Sequence, residues 1–446
     1  MVTRAEVAGR IVDVAIDGGR VVAVGPDLPH AGATIVDAAG GALVPGLHDH
    51  HLHLMAMAAA RTSVRLDRAA DPAGLDDAIG EAHRRVPPGR WLRSVGLDDR
   101  HGSLDRARLD RVAPGRPVRV QHRSGAAWVL SSAALAVIGR TEVADGWLHR
   151  ADDDPPWPRE EPDLAPVSTR LAALGVTGVT DATPSSTLDA LAALAGARRR
   201  GDLAQRLVVT GGAALAGAEV PADLDRGPVK VVVTDHELPT IEALVEAFRA
   251  ARRAGRAVAV HCVTRVGLVV ALAAWEAVGA VAGDRIEHGS VVPVELLDQL
   301  VDLGLQVVTQ PGFVADRGDR YLADVDADDQ PHLYRCASLL DAGVPVAGST
   351  DAPFGPDDPW VAIAAAIDRR TAAGVVLGAD ERLSPIRALE LFLGRPDDPG
   401  GPTRRVEPGL PADLCLLDRP LATALAEPSA GHVRGTWIAG VAVFGG

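Results

Sequence analysis

The sequence predicts an α/β protein: a (β/α)8 TIM barrel, a small β-sandwich built from both chain ends, and a long insertion after barrel strand 1. Three observations carry this expectation. Between about residues 45 and 395, short apolar runs alternate with amphipathic helical ones, the texture of repeated βα units around a parallel sheet. The two ends of the chain share another texture, short stretches in which apolar and polar residues alternate. More than a hundred residues separate the first two candidate barrel strands, too many for a simple loop.

Residues 1–44 contain "RIVDVAIDGGRVVAVG", two β-rich stretches flanking Asp-Gly-Gly, which is a hairpin signal. Residues 396–446 hold "ADLCLLD" and "HVRGTWIAGVAVFGG", and pairing of the two ends into one sandwich follows from the tendency of termini to meet at a surface. Eight candidate barrel strands lie between: "ALVPGLHDHH", "GVTGVTDA", "QRLVVTGG", "VKVVVTD", "AVAVHCV", "DRIEHGS", "LQVVTQP" and "VPVAGSTD". Of the helices, "PTIEALVEAFRAARRAG" puts Ile241, Leu244, Val245 and Phe248 on one face and closes at Gly255, and "VPVELLDQLVDLG" closes at Gly304. The insertion, about residues 60–165, is expected to form a subdomain over one end of the barrel. It carries Trp91, Trp128, Trp147 and Trp157, read as a small local core in preference to a pocket lining, and "ADDDPPWPREEPD", read as a polar loop.

With 47% hydrophobic but only 3% aromatic residues, the core must be built mainly from Ala, Val and Leu, and 47 Gly and 32 Pro supply tight turns. A formal net charge of -14 disfavours nucleic acid and anionic membranes as partners, since both select a cationic face. Cys262, Cys336 and Cys415 show no CxxC spacing, which argues against a disulfide framework and for a reducing compartment. The N-terminus lacks the basic start and apolar centre of a secretory signal. The apolar stretch from Val266 is broken by Glu276, so it reads as a buried helix and not a membrane span. The expected location is cytoplasmic.

In a (β/α)8 barrel the working residues sit at the C-terminal ends of the strands. There the sequence places His51 and His53, two apart on an extended segment and so pointing the same way, then His261, His288 and Asp351 on later strands. Singly, His261 reads as a satisfied core histidine, His288 as a turn residue and Asp351 as a cap. Jointly they form an imidazole and carboxylate set suited to zinc or a similar divalent ion. The fourth candidate strand adds Lys230, the only lysine in a chain that otherwise uses arginine for positive charge. A buried ammonium can lose its proton and become a nucleophile, whereas a guanidinium cannot. His48, His50, His101 and His149 are expected to be ordinary polar or supporting residues.

These motifs, "VPGLHDHHLHL" as Pro-Gly-x-x-Asp-x-His-x-His together with "AVAVHCV", "RIEHGS" and "GSTDAP", resemble the metal-dependent amidohydrolase superfamily. The long insertion and "PVKVVVTD" look most like amidohydrolase family 3 and its N-substituted formamide deformylase-like branch. The resemblance implies a carboxylated Lys230 bridging two metal ions, zinc first, with manganese, iron or cobalt as alternatives. It places His51, His53 and Asp351 on the more buried ion and His261 and His288 on the more exposed one. It further implies hydrolysis of an amide, cyclic amide or N-acyl/N-formyl C–N bond in a small organic substrate by metal-activated hydroxide, with Asp351 as the catalytic proton carrier.

The sequence departs from that branch at three places. Gly125-Ala126 stands where a Gly-His pair is expected, and "HCVTRVG" lacks the usual Gly-Asp pair. His236 follows Asp235 where a glycine is usual, and these two are taken as substrate-binding positions. Thr264 replaces the glutamate of the mononuclear nucleobase deaminases and counts against that branch. An amidohydrolase-fold deaminase, isomerase or decarboxylase remains an alternative, as does a non-catalytic small-molecule-binding barrel. The expected partners are a small-molecule substrate and, for assembly as a homodimer, a second copy of the chain.

Overall fold

Runs of Val, Ala and Leu bounded by glycine or proline become eight short parallel strands in the computed structural model, which describes residues 1–29, 31–67, 69–125, 127–149, 162–234 and 237–445. They are β1 (Leu47–Leu52), β2 (Val176–Asp181), β3 (Arg206–Val209), β4 (Val229–Val232), β5 (Val258–Cys262), β6 (Arg285–His288), β7 (Gln306–Thr309) and β8 (Val346–Gly348). β1, β2 and β3 pair in that order, with a two-residue strand, Asp225–Arg226, on the free edge of β3; β4 to β8 pair in sequence as a second sheet. Every residue of β1, β2, β6 and β7 is buried, as expected of parallel strands covered on both faces. The two sheets also meet at their edges. Lys230 N donates to Gly211 O just beyond β3 (2.8 Å), and Asp351 N, just beyond β8, donates to His51 O on β1 (2.9 Å).

"ALVPGLHDHH" is two strands, not one. Leu43–Pro45 pairs antiparallel with Leu414–Leu417 from the far end of the chain, and β1 starts only after Gly46. The break needs glycine, because a Cβ there would stand 2.1 Å from Thr177 Cγ2. Leu43–Pro45 belongs to a four-stranded antiparallel sheet with Leu414–Leu417, Val433–Ile438 and Val441–Gly445. The N-terminal sheet joins Val2–Val7, Arg10–Asp17, Arg20–Gly25 and Val36–Asp37. Its hairpin turns at Gly18 and Gly19, both at positive φ (53° and 78°), the backbone that a two-residue turn matching strand twist demands. Both sheets feed one apolar cluster that includes Val14, Val21, Leu414 and Trp437.

Two helices differ from their expected faces. In Ile241–Arg253, capped by Thr240, residues Leu244, Val245 and Phe248 are buried, but Ile241 in the first turn is 40% exposed. The helix Arg265–Val278 is not buried all round: Val266 and Val269 face solvent while Leu268, Leu272 and Trp275 face inward. Its hydrophobicity is Val and Ala on an exposed face and not a span. Among the described residues no helix is long and apolar enough to cross a membrane.

The chain divides into two compact units, Leu54–Asp163 and the remainder, Met1–His53 with Leu164–Gly446. Leu54–Asp163 has its own five-stranded sheet, ordered Trp147–His149, Ala127–Leu130, Val118–His122, Leu92–Leu97, Val64–Arg65. It also has its own apolar clusters. Trp128 is fully buried there under the Arg119 guanidinium, 3.5 Å from its ring, and Trp91 and Trp147 pack against these clusters. The local-core reading therefore holds for these three. Ala126, Trp157 and most of "ADDDPPWPREEPD" lie outside the described residues.

Phe248 is fully buried and meets Trp275 of the next helix at 5.0 Å between ring centroids. Phe248→Ala should cost about 3–5 kcal/mol, lost ring packing plus the cavity left behind. Urea unfolding followed by tryptophan fluorescence reads it, and a change below about 1 kcal/mol would show that this helix pair does not carry the packing assigned to it.

Candidate metal centre

The C-terminal end of β1 delivers His51, and His53 follows one residue after the strand ends. His51 Nδ1 donates to Glu287 on β6, His53 Nδ1 bonds Thr183 Oγ1 at 3.0 Å, and His288 Nδ1 bonds Gln310 Oε1 at 2.8 Å. Gln310 Nε2 donates to Ser349 Oγ (2.9 Å), so its Oε1 is the atom left to accept from His288. Glu287, held as a carboxylate, can only accept. His51 and His288 thus carry their protons on Nδ1 and keep a bare Nε2, the arrangement in which an outer partner fixes the tautomer of a metal-binding imidazole.

The atoms that could ligate a metal converge. His53 Nε2 stands 3.1 Å from Asp351 Oδ1 and His51 Nε2 3.6 Å from the same oxygen. One ligand atom from each of His51, His53 and Asp351 lies within 4.8 Å of the other two. Lys230 Nζ is 3.4 Å from His51 Nε2. The His288 ring lies 4.8 Å from that of His51, and the half-buried His261 meets His288 edge-on at 4.4 Å. The structure therefore brings His51, His53, Lys230, His261, His288 and Asp351 into one cluster, while Asp235 and His236 lie outside the described residues.

Two of these residues reach the cluster from unfavourable backbone. Alternation along β6 puts Arg285 and Glu287 on one side and Ile286 and His288 on the other, yet both Glu287 and His288 meet His51. His288 does so at φ 71°, and Asp351 sits at φ 54°. A non-glycine residue in the left-handed region costs on the order of 1–3 kcal/mol and persists where its surroundings over-determine it. Asp49 supplies part of that frame: its carboxylate accepts from the backbone N and the hydroxyl of Thr350, beside Asp351, and from the His51 backbone N.

Burial sets the protonation states. It pushes His288 down to about 3, and it drives His261 well below the ordinary histidine value with the help of His288, so both stay neutral. Burial opposes the charge on Asp351, but the hydrogen bond to His53 and the nearby imidazoles outweigh it and hold the carboxyl well below its usual range. Glu287 is held low in the same way, burial being overcome by Arg285, Lys230 and His51. Lys230 is lowered to about 8 by burial, against the pull of Glu287 and Asp351. Neutral imidazoles, an ionised carboxylate and an amine near its titration point form a donor set that fits a divalent cation.

Sequence reasoning passed over Glu287, Thr183 and Gln310. For Glu287 a signal existed, because an acid in a buried parallel strand needs a partner, and Arg285 two residues earlier shares its side. His48 and His50 are fully buried in β1, His48 against Thr180 Oγ1 at 3.0 Å. Thr264, the position read against a deaminase, caps the helix Arg265–Val278.

Fold and site together define a parallel α/β protein with a cluster of candidate metal ligands at its strand ends. Residues 34–444 match the profile of the amidohydrolase family. The chain belongs to the amidohydrolase family, enzymes acting on carbon–nitrogen bonds other than peptide bonds. It is similar to an N-substituted formamide deformylase of Arthrobacter pascens, at 27% identity over 96% of this chain and 94% of that protein. In fold it is similar to a metal-dependent hydrolase from Pyrococcus horikoshii OT3 (TM-score 0.78, 23% identity, 94% of this chain and 95% of that one). A metal-dependent hydrolase from Pyrococcus furiosus is likewise similar in fold (TM-score 0.73, 24% identity, 92% and 95%).

Glu287→Gln keeps the shape but removes the charge that orients His51, so affinity for zinc should fall about 10–100-fold. Titration against a competing chromophoric chelator measures this; unchanged affinity would remove Glu287 from its orienting role.

Proposed function

We propose that the chain is a binuclear metal-dependent hydrolase that cleaves the C–N bond of a small organic amide, cyclic amide or N-acyl/N-formyl compound. The observation that carries this reading is the convergence of His51, His53 and Asp351 within 4.8 Å beside a buried lysine. Two electron-rich groups, His51 Nε2 and the Asp351 carboxylate, face each other at 3.6 Å, an arrangement that asks for a cation. Divalent ions bound there, zinc first, supply Lewis acidity that lowers the pKa of water and polarises a carbonyl.

The chain's own residues divide the remaining work. Lys230 Nζ, uncharged in part because its pKa is lowered to about 8, adds to carbon dioxide with loss of a proton to give a carbamate. That would put an anion where the lysine carried a cation, and His51, His53 and Asp351 would hold one ion and His261 and His288 the other. Asp351, ionised and within reach of His53, takes a proton at its free oxygen and returns it to the leaving nitrogen. Asp235 and His236 are assigned to substrate binding. The likeness to a formamide deformylase supports the C–N assignment.

The same reading takes the two parallel sheets as one closed (β/α)8 barrel, residues 45–395, interrupted by a subdomain at about 60–165. Residues 1–44 and 396–446 are taken as the halves of a β-sandwich. Three buried cysteines, none of them in a disulfide, support a reducing, cytoplasmic setting.

Elemental analysis should find close to two divalent ions per chain; about one would replace the binuclear site with a mononuclear one, and none would reject both. Lys230→Ala should lose metal and activity, and short carboxylic acids should restore part of each by standing in for the carbamate. Reloading of metal-free protein should also depend on bicarbonate as the source of carbon dioxide and, at constant dissolved carbon dioxide, speed up as pH rises through about 8, because deprotonation of Lys230 increases in that direction. A pH-independent rate indifferent to bicarbonate would eliminate the carbamate. A screen of N-formyl, N-acyl, cyclic imide and lactam compounds with zinc- and manganese-loaded protein identifies the substrate.

A further inference from the structure

At the opposite ends of the parallel strands from His51 lies a second cavity, of about 960 Å3. It is lined by residues that open the strands, among them Thr177, Arg206, Pro228 and Arg285, and by much of the 395–413 segment. Seven arginines face it against four acidic residues, in a chain whose formal net charge is -14. Four of the seven have an acidic partner: Arg206 pairs with Asp413, Arg395 with Asp397, Arg405 with Glu407 and Arg285 with Glu287.

Arg226, Arg256 and Arg404 are different. Arg226 Nη2 donates to Ala216 O and Ala254 O, Arg256 to Leu215 O and Gly227 O, and Arg404 to Gly394 O and Gly46 O. Among the described residues none of the three forms an ion pair. Carbonyls satisfy N–H groups but leave the unit charge in place, and three such charges lining one cavity repel without a counter-ion, most of all at the buried Arg256. Burial lowers Arg256 and Arg404 to about 10, with Arg226 adding to the effect on Arg256, so both remain charged at neutral pH.

The inner wall gives a second, independent observation. Arg285 is 2% exposed and its Nη2 is buried without a hydrogen-bond partner among the described residues. Its Nε donates to Glu287 Oε1 (2.7 Å), and the residue lines the cavity.

We propose that this cavity binds a small oxyanion carrying two or more charges, a phosphate or polycarboxylate group, at a site separate from the metal centre. Planar guanidinium forks match the oxygens of either group, and several forks around one space favour a multiply charged ligand over chloride. The tethering of carbonyls accounts for part of each arginine but not for the excess of cations or the unused Arg285 donor.

Calorimetric titration of the metal-loaded full chain with inorganic phosphate and, separately, with citrate tests this at constant ionic strength. One saturable site per chain is expected for at least one probe. The double variant Arg226→Gln/Arg405→Gln, at two exposed positions, should weaken it roughly tenfold or more, the loss of a charged hydrogen bond or two. Arg404→Gln, with a thermal-unfolding check, tests the half-buried wall and should do the same. Absence of saturable binding by both probes would overturn the proposal. So would binding that both variants leave unchanged and that a chelator abolishes, since the anion would then sit on the metal centre.

Discussion

Glu287 is the residue on which the rest of the site depends. It is fully buried on β6, and it is held as a carboxylate by Arg285 on one side and His51 on the other. An ionised acid in that position is tolerable only while both partners stay, because removing one leaves an uncompensated buried charge. Its charge fixes the His51 proton on Nδ1 and so turns Nε2 toward Asp351 and Lys230. The strand that carries it also carries Arg285 toward one cavity and His288 toward the other cluster. One four-residue strand thereby joins the two ends of the parallel sheet electrostatically.

The second constraint is the crowding of like groups around His51. Imidazoles from the end of β1, from β5 and from β6 and the Asp351 carboxylate stand within ring-contact and hydrogen-bond distance of one another. Lys230 stands among them as a positive charge with a lowered pKa. The backbone bears part of the cost, at His288 and Asp351, where two side chains are turned inward from left-handed conformations. Asp49 and Thr350 brace that region through three hydrogen bonds, a frame that belongs to stability as much as to chemistry.

Much of this was legible before any coordinates. Parallel strands announce themselves as short, continuously apolar runs, and helices by their period, so the alternation of elements follows from pattern alone. His51, His53, His261, His288 and Asp351 stood out because metal ligands at strand ends repeat a positional rule, and Lys230 because it has no sibling in the chain. Glu287 did not stand out, since a single acid beside a histidine has many ordinary explanations. Thr183 and Gln310 could not, because a hydroxyl or an amide becomes an orienting group only through the neighbour it happens to face.

Sequence by itself determined which segments become strands and helices and which side chains offer metal-ligating atoms at strand ends, because both are properties of local pattern and side-chain type. Tertiary structure alone decided the break at Gly46, which hands Leu43–Pro45 to a sheet made by the far end of the chain. It alone assembled the arginines of the second cavity and the link from Arg285 through Glu287 to His51. Those outcomes rest on contacts between residues far apart in the chain, and on the low dielectric that makes each buried charge answer to its neighbours.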